Sequence, residues 1–401
     1  MTNRHFRIYL WLIFALFLLG TSYLIWFRAV DQIVAGLRKG PGFTDLAGFP
    51  VGSDFVAFWA AARLALDGDP AAAYSSEKLY PVETQAIGAK IPPFRWNYPP
   101  TFQLLVLPLG FLPYLAAAAT WMGLTLMGYL KVLRSLAPNP LTPWLFLAFP
   151  PAVNNLFYGQ NGFLSALLVG GGLLLLEDSP WLGGFLLGLL TYKPQLAVLI
   201  PVALLAGRRW RALGGAAVAA AGLALASLVF LGPGVWSAFF NNLSQAAGPI
   251  SDVSWWQKMP TVFAAAISLG AGVPLAAVLQ GAVALVAIIP VVWLWAKGAG
   301  LPHRGAILAL GTFLVTPYAL EYDLAVLGLA FAWLGWEAHH RDAVRQEFFL
   351  MAAWAALFFA SFTPQKIGFQ VTPAIVLALM LFVIYPENTR WPRRLAGADA
   401  G

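Results

Sequence analysis

The chain has 401 residues, of which 60% are hydrophobic and only 10% charged, with a net charge of +7 and no cysteine. Soluble domains carry roughly 25% charged residues, so this composition excludes a soluble globular protein, and the missing cysteines exclude disulfides. The positive charge needs no nucleic-acid partner, because Lys and Arg gather in short loops as they do on the cytoplasmic side of membrane proteins. We therefore predict an integral membrane protein, and the richness in Ala, Gly and Leu favours a bacterial inner membrane.

The first apolar window, residues 8–27, is long enough to cross a hydrocarbon core. Arg4, His5 and Arg7 precede it, and no small-residue cleavage site follows it. We expect a retained first span rather than a signal peptide. Similar windows recur along the chain, so we predict a single integral membrane domain over residues 1–401, an all-α polytopic bundle of about twelve transmembrane helices.

Basic clusters give the orientation of these spans. The clusters lie at 208–211, 303–304, 339–345 and 390–394. If all of them are cytoplasmic like the N-terminus, the number of spans is even. The predicted spans are 8–27, 101–113, 114–133, 143–158, 162–177, 181–206, 212–232, 274–296, 305–319, 321–336, 346–362 and 367–385. The stretches expected to be neighbours on the outer side are the loops 28–100 and 233–273 and the turns around 321–323 and 363–366.

The long first outer loop contains a segment with helical spacing. Apolar residues at positions 55, 58, 59, 62 and 66 predict an amphipathic helix over 54–67 that lies on the membrane surface. The sequence Asp67-Gly68-Asp69-Pro70 is typical of a turn that ends such a helix. A second helix is predicted over 77–87.

Asp54 heads this segment and allows two interpretations. It can cap the helix by accepting backbone N–H bonds. It can also act as a general base, taking a proton from a substrate hydroxyl while the apolar helix shields it from bulk water. Both interpretations stay open at the level of the residues alone.

The segment FRWNYPP, residues 94–100, places Arg95, Asn97 and Tyr98 directly before a span. Aromatic residues with a snorkelling Arg commonly anchor a chain at the membrane interface. The alternative is substrate recognition, in which Arg95 holds a phosphate and the aromatic rings stack on a sugar. We retain these three residues as candidates for substrate binding.

Two further motifs interrupt the apolar runs. YGQNG, residues 158–162, contributes the amides of Gln160 and Asn161, which either satisfy backbone at a turn or bind sugar hydroxyls. Lys193 lies inside the sixth span, where a charged residue is costly and indicates function. Its ammonium either pairs with a neighbouring acid or contacts a phosphate, and Lys193-Pro194 can split this span and invert the path between residues 101 and 206.

The late outer stretches supply the remaining candidates. Trp255, Gln257 and Lys258 combine aromatic, amide and cationic groups and could cover a ligand, although Trp side chains also form interfacial belts. Tyr322 and Asp323 lie in a compact acidic turn between two spans, where Asp323 either caps the following helix or joins the site.

Several signatures of cofactors are missing from the sequence. The histidines lack the spacing of metal ligands, and neither GxxxxGK[ST] nor GxGxxG occurs. We therefore expect no metal and no cofactor. The group to be transferred must then arrive already activated, from within the membrane.

The order of motifs resembles a known family. SDF, a Trp, GDP and a Tyr in the first outer loop are followed by YPPxFxLLVLPLGFLP, then GQN, then KPQ and the basic run RRWR. This order, over residues 50–260, is similar to the GT-C superfamily of membrane glycosyltransferases. Within it, the chain most resembles the polyprenyl-phosphate-mannose-dependent mannosyltransferases, glycosyltransferase family 87.

The resemblance implies a GT-C-like bundle and an inverting hexosyltransferase. The expected donor is a polyprenyl-phosphate-sugar such as polyprenyl-phosphate-mannose, used as co-substrate, and the acceptor is a hydroxyl of a glycolipid or glycan at the periplasmic or extracellular face. Asp54 matches the aspartate of the first outer loop that the family uses in catalysis. Lys193, Arg95 and Lys258 are the candidate cations for the leaving phosphate. Many members carry a histidine in the late outer turn, where this chain has Tyr318, Tyr322 and Asp323.

Two other classes of function remain open. A transporter or flippase of lipid-linked saccharides would be expected to show internal repeats with broken helices in matching positions. In this sequence only Lys193-Pro194 interrupts a span, without a counterpart in the other half. The third class is a related ligase or a scaffold without catalysis.

Overall fold

The computed structural model describes residues 3–40, 42–246, 256–361 and 364–385. In this part of the chain all regular elements are helical, and the only strand-like feature is an isolated bridge between Thr44 and Pro50. The prediction of an all-α fold is confirmed. The α-helices are α1 Asn3–Lys39, α2 Phe55–Leu66, α3 Ser76–Ile87, α4 Pro100–Val106, α5 Tyr114–Leu136, α6 Thr142–Leu147, α7 Pro150–Tyr158, α8 Gly162–Leu174, α9 Pro180–Leu189, α10 Pro194–Ala197, α11 Leu199–Ala206, α12 Trp210–Leu231, α13 Pro233–Ala246, α14 Val262–Ser268, α15 Val273–Ala296, α16 Leu301–Val315, α17 Leu327–His340, α18 Val344–Ala360, α19 Pro364–Ile367 and α20 Thr372–Ile384.

Among the described residues, four helices are long and apolar enough to cross a membrane by themselves. They are His5–Lys39 within α1, Tyr114–Leu136, Trp210–Leu231 and Val273–Ala296. These helices indicate an integral membrane protein. The other apolar helices are shorter, with 10–17 residues, against about 20 residues for a span. The number of twelve spans therefore stays a prediction.

Proline decides where several predicted spans differ from the structure. The span expected over 143–158 is broken into α6 and α7, because α7 begins at Pro150, which has no N–H for a continuing helix. The first helix instead continues past residue 27 to Lys39, since the sequence has no proline before Pro41. The stretch 28–100 thus begins with helix.

The sixth predicted span is also broken, at the position that the sequence singled out. A short 3-10 helix, Leu190–Tyr192, follows α9, and Lys193 has φ −132° and ψ 71°, outside the helical region. Pro194 then opens α10. The interpretation that Lys193-Pro194 splits this segment is confirmed at the level of the helices.

Two glycines hold α9 tightly against α12. A Cβ added to Gly184 would lie 1.9 Å from the carbonyl oxygen of Ala212, and one added to Gly188 would lie 2.3 Å from that of Ala216. Small residues four apart allow such backbone contact between membrane helices. The contact fixes the end of α9 from which Lys193 follows.

Helix α2 lies where the sequence predicts a helix, but its surroundings differ from the prediction. From Phe55 to Ala62 only Trp59 is not fully buried, and α2 packs against α3, α4 and the 3-10 helix Leu107–Phe111. A helix that is apolar all round is buried rather than amphipathic. The expectation of a surface helix with one apolar face is therefore wrong for these turns, because the neighbouring segments of the protein cover the other faces.

The turn after α2 has the predicted chemistry. Asp67 is the C-cap residue of α2, and Gly68 has φ +89°, which favours glycine. Asp69 then accepts a hydrogen bond from the Ala72 amide at 3.2 Å and caps the 3-10 helix Pro70–Tyr74. The prediction that this sequence ends the helix is confirmed.

Basic residues from separate parts of the chain meet at one end of the bundle. Glu177, between α8 and α9, forms ion pairs with Arg209 at 2.7 Å and Arg304 at 2.6 Å. Two of the basic clusters therefore share one carboxylate. We call this end of the molecule the basic end.

The same network continues to the third cluster and the N-terminus. Glu337 on α17 lies 2.5 Å from Arg341 and 3.7 Å from His303. Glu347 on α18 lies 2.6 Å from Arg7 of α1. The three basic clusters that the structure describes and the N-terminus thus lie at the same end, as the predicted orientation requires, whereas the cluster at 390–394 lies outside the described residues.

Candidate active site

The candidate site is built around the turn between α7 and α8, which contains the YGQNG motif. Gly159 has φ +66°, and a Cβ there would lie 2.6 Å from the Cβ of Phe55. The carbonyl oxygen of Tyr158 accepts a hydrogen bond from the Asp54 amide at 2.9 Å. Gly159 therefore lets this turn lie directly against the beginning of α2.

The other glycine of the motif brings in the late acidic turn. A Cβ on Gly162 would lie 2.2 Å from the carbonyl oxygen of Tyr322, and the Gly162 amide donates to Asn155 Oδ1 at 2.6 Å. One five-residue motif thus joins the loop before α2 to the 3-10 helix Glu321–Val326, although the three segments are far apart in sequence.

Asp54 presents its carboxylate to this turn rather than to its own helix. It occupies the N-cap position of α2, but its side chain makes no capping hydrogen bond. Gln160 Nε2 donates to Asp54 Oδ2 at 2.9 Å, and the Tyr98 hydroxyl donates to Gln160 Oε1 at 3.0 Å. The carboxylate of Asp54 therefore does not cap helix α2.

The electrostatic surroundings of Asp54 have opposing effects. Burial raises the pKa of its carboxyl, whereas the hydrogen bonds from Gln160 and Ser53 and the positive charges of Lys258 and Lys193 lower it. The net result is a pKa above the ordinary value. A carboxylate with a raised pKa is a stronger base and remains suited to proton transfer near neutral pH.

Lys193 lies beneath this turn in a buried ion pair. Its side chain is only 2% exposed, and Nζ donates to Asn161 Oδ1 at 2.7 Å and to Asp323 Oδ1 at 2.5 Å. The second oxygen of Asp323 accepts from the Leu320 amide at 3.0 Å. Of the two partners that the sequence left open for Lys193, an acid or a phosphate, the structure shows the acid, Asp323.

Aromatic rings complete the surroundings of this pair. The Lys193 ammonium lies 5.1 Å from the centre of the Tyr322 ring and 5.8 Å from that of Tyr98, within the range of cation–π attraction. These contacts and the pairing with Asp323 explain how a charge persists in an apolar bundle. Tyr98, Tyr322 and Asp323, predicted from separate motifs, are thus brought together.

Lys258 adds an exposed cation to this end of the molecule. Its charge acts on the carboxylates of both Asp54 and Glu321. Glu321 Oε2 accepts a hydrogen bond from Asn154 Nδ2 at 3.3 Å. The sequence-based candidates did not include Glu321 or Asn154. The available signals were the position of Glu321 beside Tyr322 and the amide of Asn154 within an apolar helix.

The remaining candidates lie in other surroundings. Arg95 is exposed, and Asn97 Oδ1 accepts from Asn242 of α13 at 3.1 Å. Gln257 Nε2 donates to the Gly368 carbonyl at 3.5 Å, and its own carbonyl accepts from Gln370 at 2.9 Å. Trp255 lies outside the described residues. These contacts do place the predicted outer stretches next to one another.

The titratable groups give no indication of a metal site. Among the residues that the structure describes, no group of three or more His, Asp or Glu side chains is arranged to hold a metal ion. The expectation that the site works without a metal stays a prediction.

Comparison with known families supports the resemblance seen in the sequence motifs. The model of glycosyltransferase family 87 matches residues 96–317, a range that contains Tyr98, Gln160, Asn161, Lys193 and Lys258. Comparison with curated proteins gives no match, and comparison with solved structures gives none either. The match covers more than half of the chain and confirms the resemblance seen in its motifs. The chain therefore belongs to glycosyltransferase family 87 and is a glycosyltransferase.

Proposed function

We propose that this enzyme is an inverting hexosyltransferase that moves a sugar from a polyprenyl-phosphate donor to a hydroxyl of a glycolipid or glycan. Mannose is the proposed sugar, on the resemblance to mannosyltransferases. The single observation that carries the proposal is the Asp54 carboxylate, which makes no capping bond, is held by Gln160 and has a raised pKa.

The proposed reaction is one direct displacement. The acceptor hydroxyl attacks the anomeric carbon and gives its proton to Asp54, while the bond from that carbon to the phosphate oxygen breaks and its electron pair leaves with the phosphate. A direct attack inverts the anomeric centre, because no covalent glycosyl intermediate forms. Asp323, the carboxylate paired with Lys193, is engaged in its ion pair, which favours Asp54 as the base.

We assign Lys258 to the leaving phosphate. It is exposed, and its charge reaches Asp54 and Glu321. The charge of Lys193 is neutralised by Asp323. Lys193 is therefore better suited to a structural role than to stabilising the charge of the leaving phosphate. A cation beside a leaving phosphate stabilises the negative charge that develops there.

The location of the site supports transfer at the outer face. The basic end is expected on the cytoplasmic side. Helix α8 starts beside Asn161 and ends three residues before Glu177 of the basic end, so its length separates them by about 20 Å. The candidate site then lies toward the periplasmic or extracellular side, where a lipid-linked donor and a polar acceptor can meet.

The first experiment compares purified wild type with Asp54→Asn. The measurement is transfer of radiolabelled mannose from polyprenyl-phosphate-mannose to extracted bacterial membrane lipid, with and without a chelator. Asp54→Asn should fold normally and lose transfer by at least about 100-fold, the lower range for a general base. Asp67→Asn, at an exposed turn on the same segment, is the control and should keep wild-type activity.

Other outcomes would change the proposal in defined ways. Near-normal turnover by Asp54→Asn would remove its role as the base. No transfer by wild type from any of several polyprenyl-phosphate sugars would show that the donor class is wrong. Movement of labelled donor across vesicles without sugar transfer would favour the transporter instead.

A second experiment tests the cation. Lys258→Ala should lower kcat/KM for the donor by about 10- to 100-fold, corresponding to the loss of one charge-assisted contact of about 1.5–3 kcal/mol. Lys90→Ala removes another exposed lysine from the first outer loop and should change this value less than twofold. Equal effects of the two substitutions would remove Lys258 from the site.

A further inference from the structure

We infer that Gln160 is a positioning residue. Its hydrogen bond to Oδ2 fixes the Asp54 carboxylate so that Oδ1 faces the acceptor hydroxyl. The inference rests on the proposed role of Asp54 as the base. It assigns a function to the GQN motif that differs from the direct contact with sugar predicted from the sequence.

The orientation of the Gln160 amide follows from its partners. The Asn161 backbone N–H lies 3.3 Å from Gln160 Oε1, and this group can only donate. The Tyr98 hydroxyl also donates to Oε1. A flipped amide would place its NH₂ against the Asn161 N–H, so chemistry requires the oxygen to face Asn161 and Nε2 to face Asp54.

This orientation distinguishes the two oxygens of Asp54. Oδ2 accepts the hydrogen bond from Gln160 Nε2 at 2.9 Å. The contact of Oδ1 is with the neighbouring Ser53 hydroxyl at 3.4 Å, a distance at which a hydrogen bond is weak. Oδ1 therefore keeps its lone pairs for the proton of an acceptor hydroxyl.

Gln160 is itself rigidly held. The residue is only 4% exposed, and its backbone N–H donates to the backbone carbonyl of Asn155 at 3.0 Å. The next residue, Asn161, is tied through its side chain to Lys193. A catalytic group is most effective when the residues that support it are themselves locked in this way.

The charged and titratable groups around Asp54 determine its pKa and therefore the pH dependence of activity. Asp54 is influenced by Lys258 and Lys193, and the tyrosines that face it are Tyr98, Tyr158, Tyr318 and Tyr322. The hydrogen bond from Gln160 favours the ionised carboxylate. Its removal should raise the pKa of Asp54, so activity, which requires the ionised base, should begin at a higher pH.

The test measures kcat, donor KM and the acidic limb of the pH–rate profile with polyprenyl-phosphate-mannose as donor. Gln160→Leu should lower kcat by about 10-fold, the scale of one well-placed hydrogen bond, change donor KM less than about threefold, and move the acidic limb upward by about 0.5–1 pH unit. Gln160→Glu, which adds a second carboxylate beside Asp54, should move this limb further. Tyr98→Phe should have a smaller effect, because the Asn161 N–H still fixes the amide.

The matched control is Gln103→Leu. Gln103 is also fully buried, and its Nε2 donates to the carbonyls of Ala61 and Pro70, each at 3.0 Å. This substitution should reduce stability but leave the acidic limb unchanged. If Gln160→Leu fails to fold, Gln160→Glu and Tyr98→Phe give the same readout.

The results separate the inference from the proposed function. An active Asp54→Asn variant would overturn both, because Gln160 would then have no base to position. An inactive Asp54→Asn variant, combined with an unshifted acidic limb and wild-type kcat in the Gln160 variants, would overturn the positioning role alone.

Discussion

At the scale of single residues, the Lys193 and Asp323 pair shows why a charged residue inside an apolar segment was informative. Removing one partner of a buried pair leaves an uncompensated charge, which costs about 3–5 kcal/mol. The structure satisfies Lys193 with Asp323 and Asn161. The pair therefore ties the broken helix after α9 to the late acidic turn and, through Asn161, to the turn between α7 and α8.

Glu83 is a second residue with an unusual environment, in α3 of the first outer loop. It is fully buried, and Oε2 accepts from the Phe94 amide at 3.2 Å, whereas Oε1 has no hydrogen-bond partner among the described residues. Burial raises the pKa of its carboxyl from 4.5 to about 7. Glu83 therefore holds the extended segment before α4 through the Phe94 amide, and its carboxyl is mostly protonated only below about pH 7.

This pKa predicts a specific dependence of stability on pH. Between pH 4.5 and about 7 the folded state holds a proton that the unfolded state releases, so the free energy of unfolding falls as pH rises through this window. The loss is complete above pH 7 and amounts to at most about 3 kcal/mol. Glu83→Gln should remove this part of the slope, measured as Tm between pH 5 and pH 8 in detergent.

The control for this prediction is Glu77→Gln, which changes an exposed acid of the same helix and should leave the slope as in wild type. If Glu83→Gln retains the full wild-type decline in Tm, another group is responsible for it.

At the scale of helices, sequence predicted the broken helix and the turns better than the burial of α2. Proline and glycine act on the backbone locally. The sequence alone therefore predicts the helix break at Lys193-Pro194 and the turn at Asp67-Gly68. Whether the far faces of α2 meet lipid or protein depends on α3 and α4, which its periodicity does not reveal. Pro150 also indicates a break in the sequence, but the apolar residues on both sides of it favour one continuous span.

The contact between α9 and α12 gives a prediction at this scale. Gly184→Leu should force α9 away from α12, because even a Cβ meets the Ala212 carbonyl oxygen at 1.9 Å. The expected destabilisation is about 3 kcal/mol, the upper range for overpacking, and transfer activity should fall because Lys193 follows α9. Thermal unfolding and the mannose transfer assay measure these effects.

Gly222→Leu is the matched control, since Gly222 lies on α12 with open space where a Cβ would stand. This substitution should be neutral or slightly stabilising, because leucine favours helix more than glycine does. A destabilisation equal to that of Gly184→Leu would show that the contact between the helices is not the cause.

At the scale of the whole molecule, the polar residues separate into two groups along the bundle. The basic end contains Glu177 and its two arginines, and the candidate site lies beyond the other end of α8. The positive-inside pattern predicts that the arginines lie on the opposite side from the outer stretches that contain Asp54 and Asp323. The twelve predicted spans, however, put the YGQNG turn on the cytoplasmic side and Glu177 on the outer side, which the ion pairs of Glu177 with the arginines contradict. The gathering of Asp54, Gln160 and Asp323 was less accessible, because it depends on contacts between segments more than 100 positions apart.

Because the sequence has no cysteine, single introduced cysteines can test on which side of the membrane each end of the bundle lies. Lys90→Cys, in the first outer loop, should react with a membrane-impermeant maleimide in intact bacterial cells. Asp178→Cys, exposed beside Glu177, should react only after the membrane is permeabilised. Both variants should retain transfer activity, and the opposite labelling pattern would invert the proposed orientation.

The two neighbouring amides of the YGQNG turn have a consequence for evolution. Gln160 faces the loop before α2 and Asn161 faces the interior pair, while Gly159 and Gly162 each fit against a different segment. Surface turns normally tolerate changes of length, and the exposed turn at 67–70 is of that kind. A single insertion or deletion between residues 159 and 162 would turn both amides away from their partners at once. Natural variants of this protein should therefore vary in length elsewhere and keep this turn at a constant number of residues.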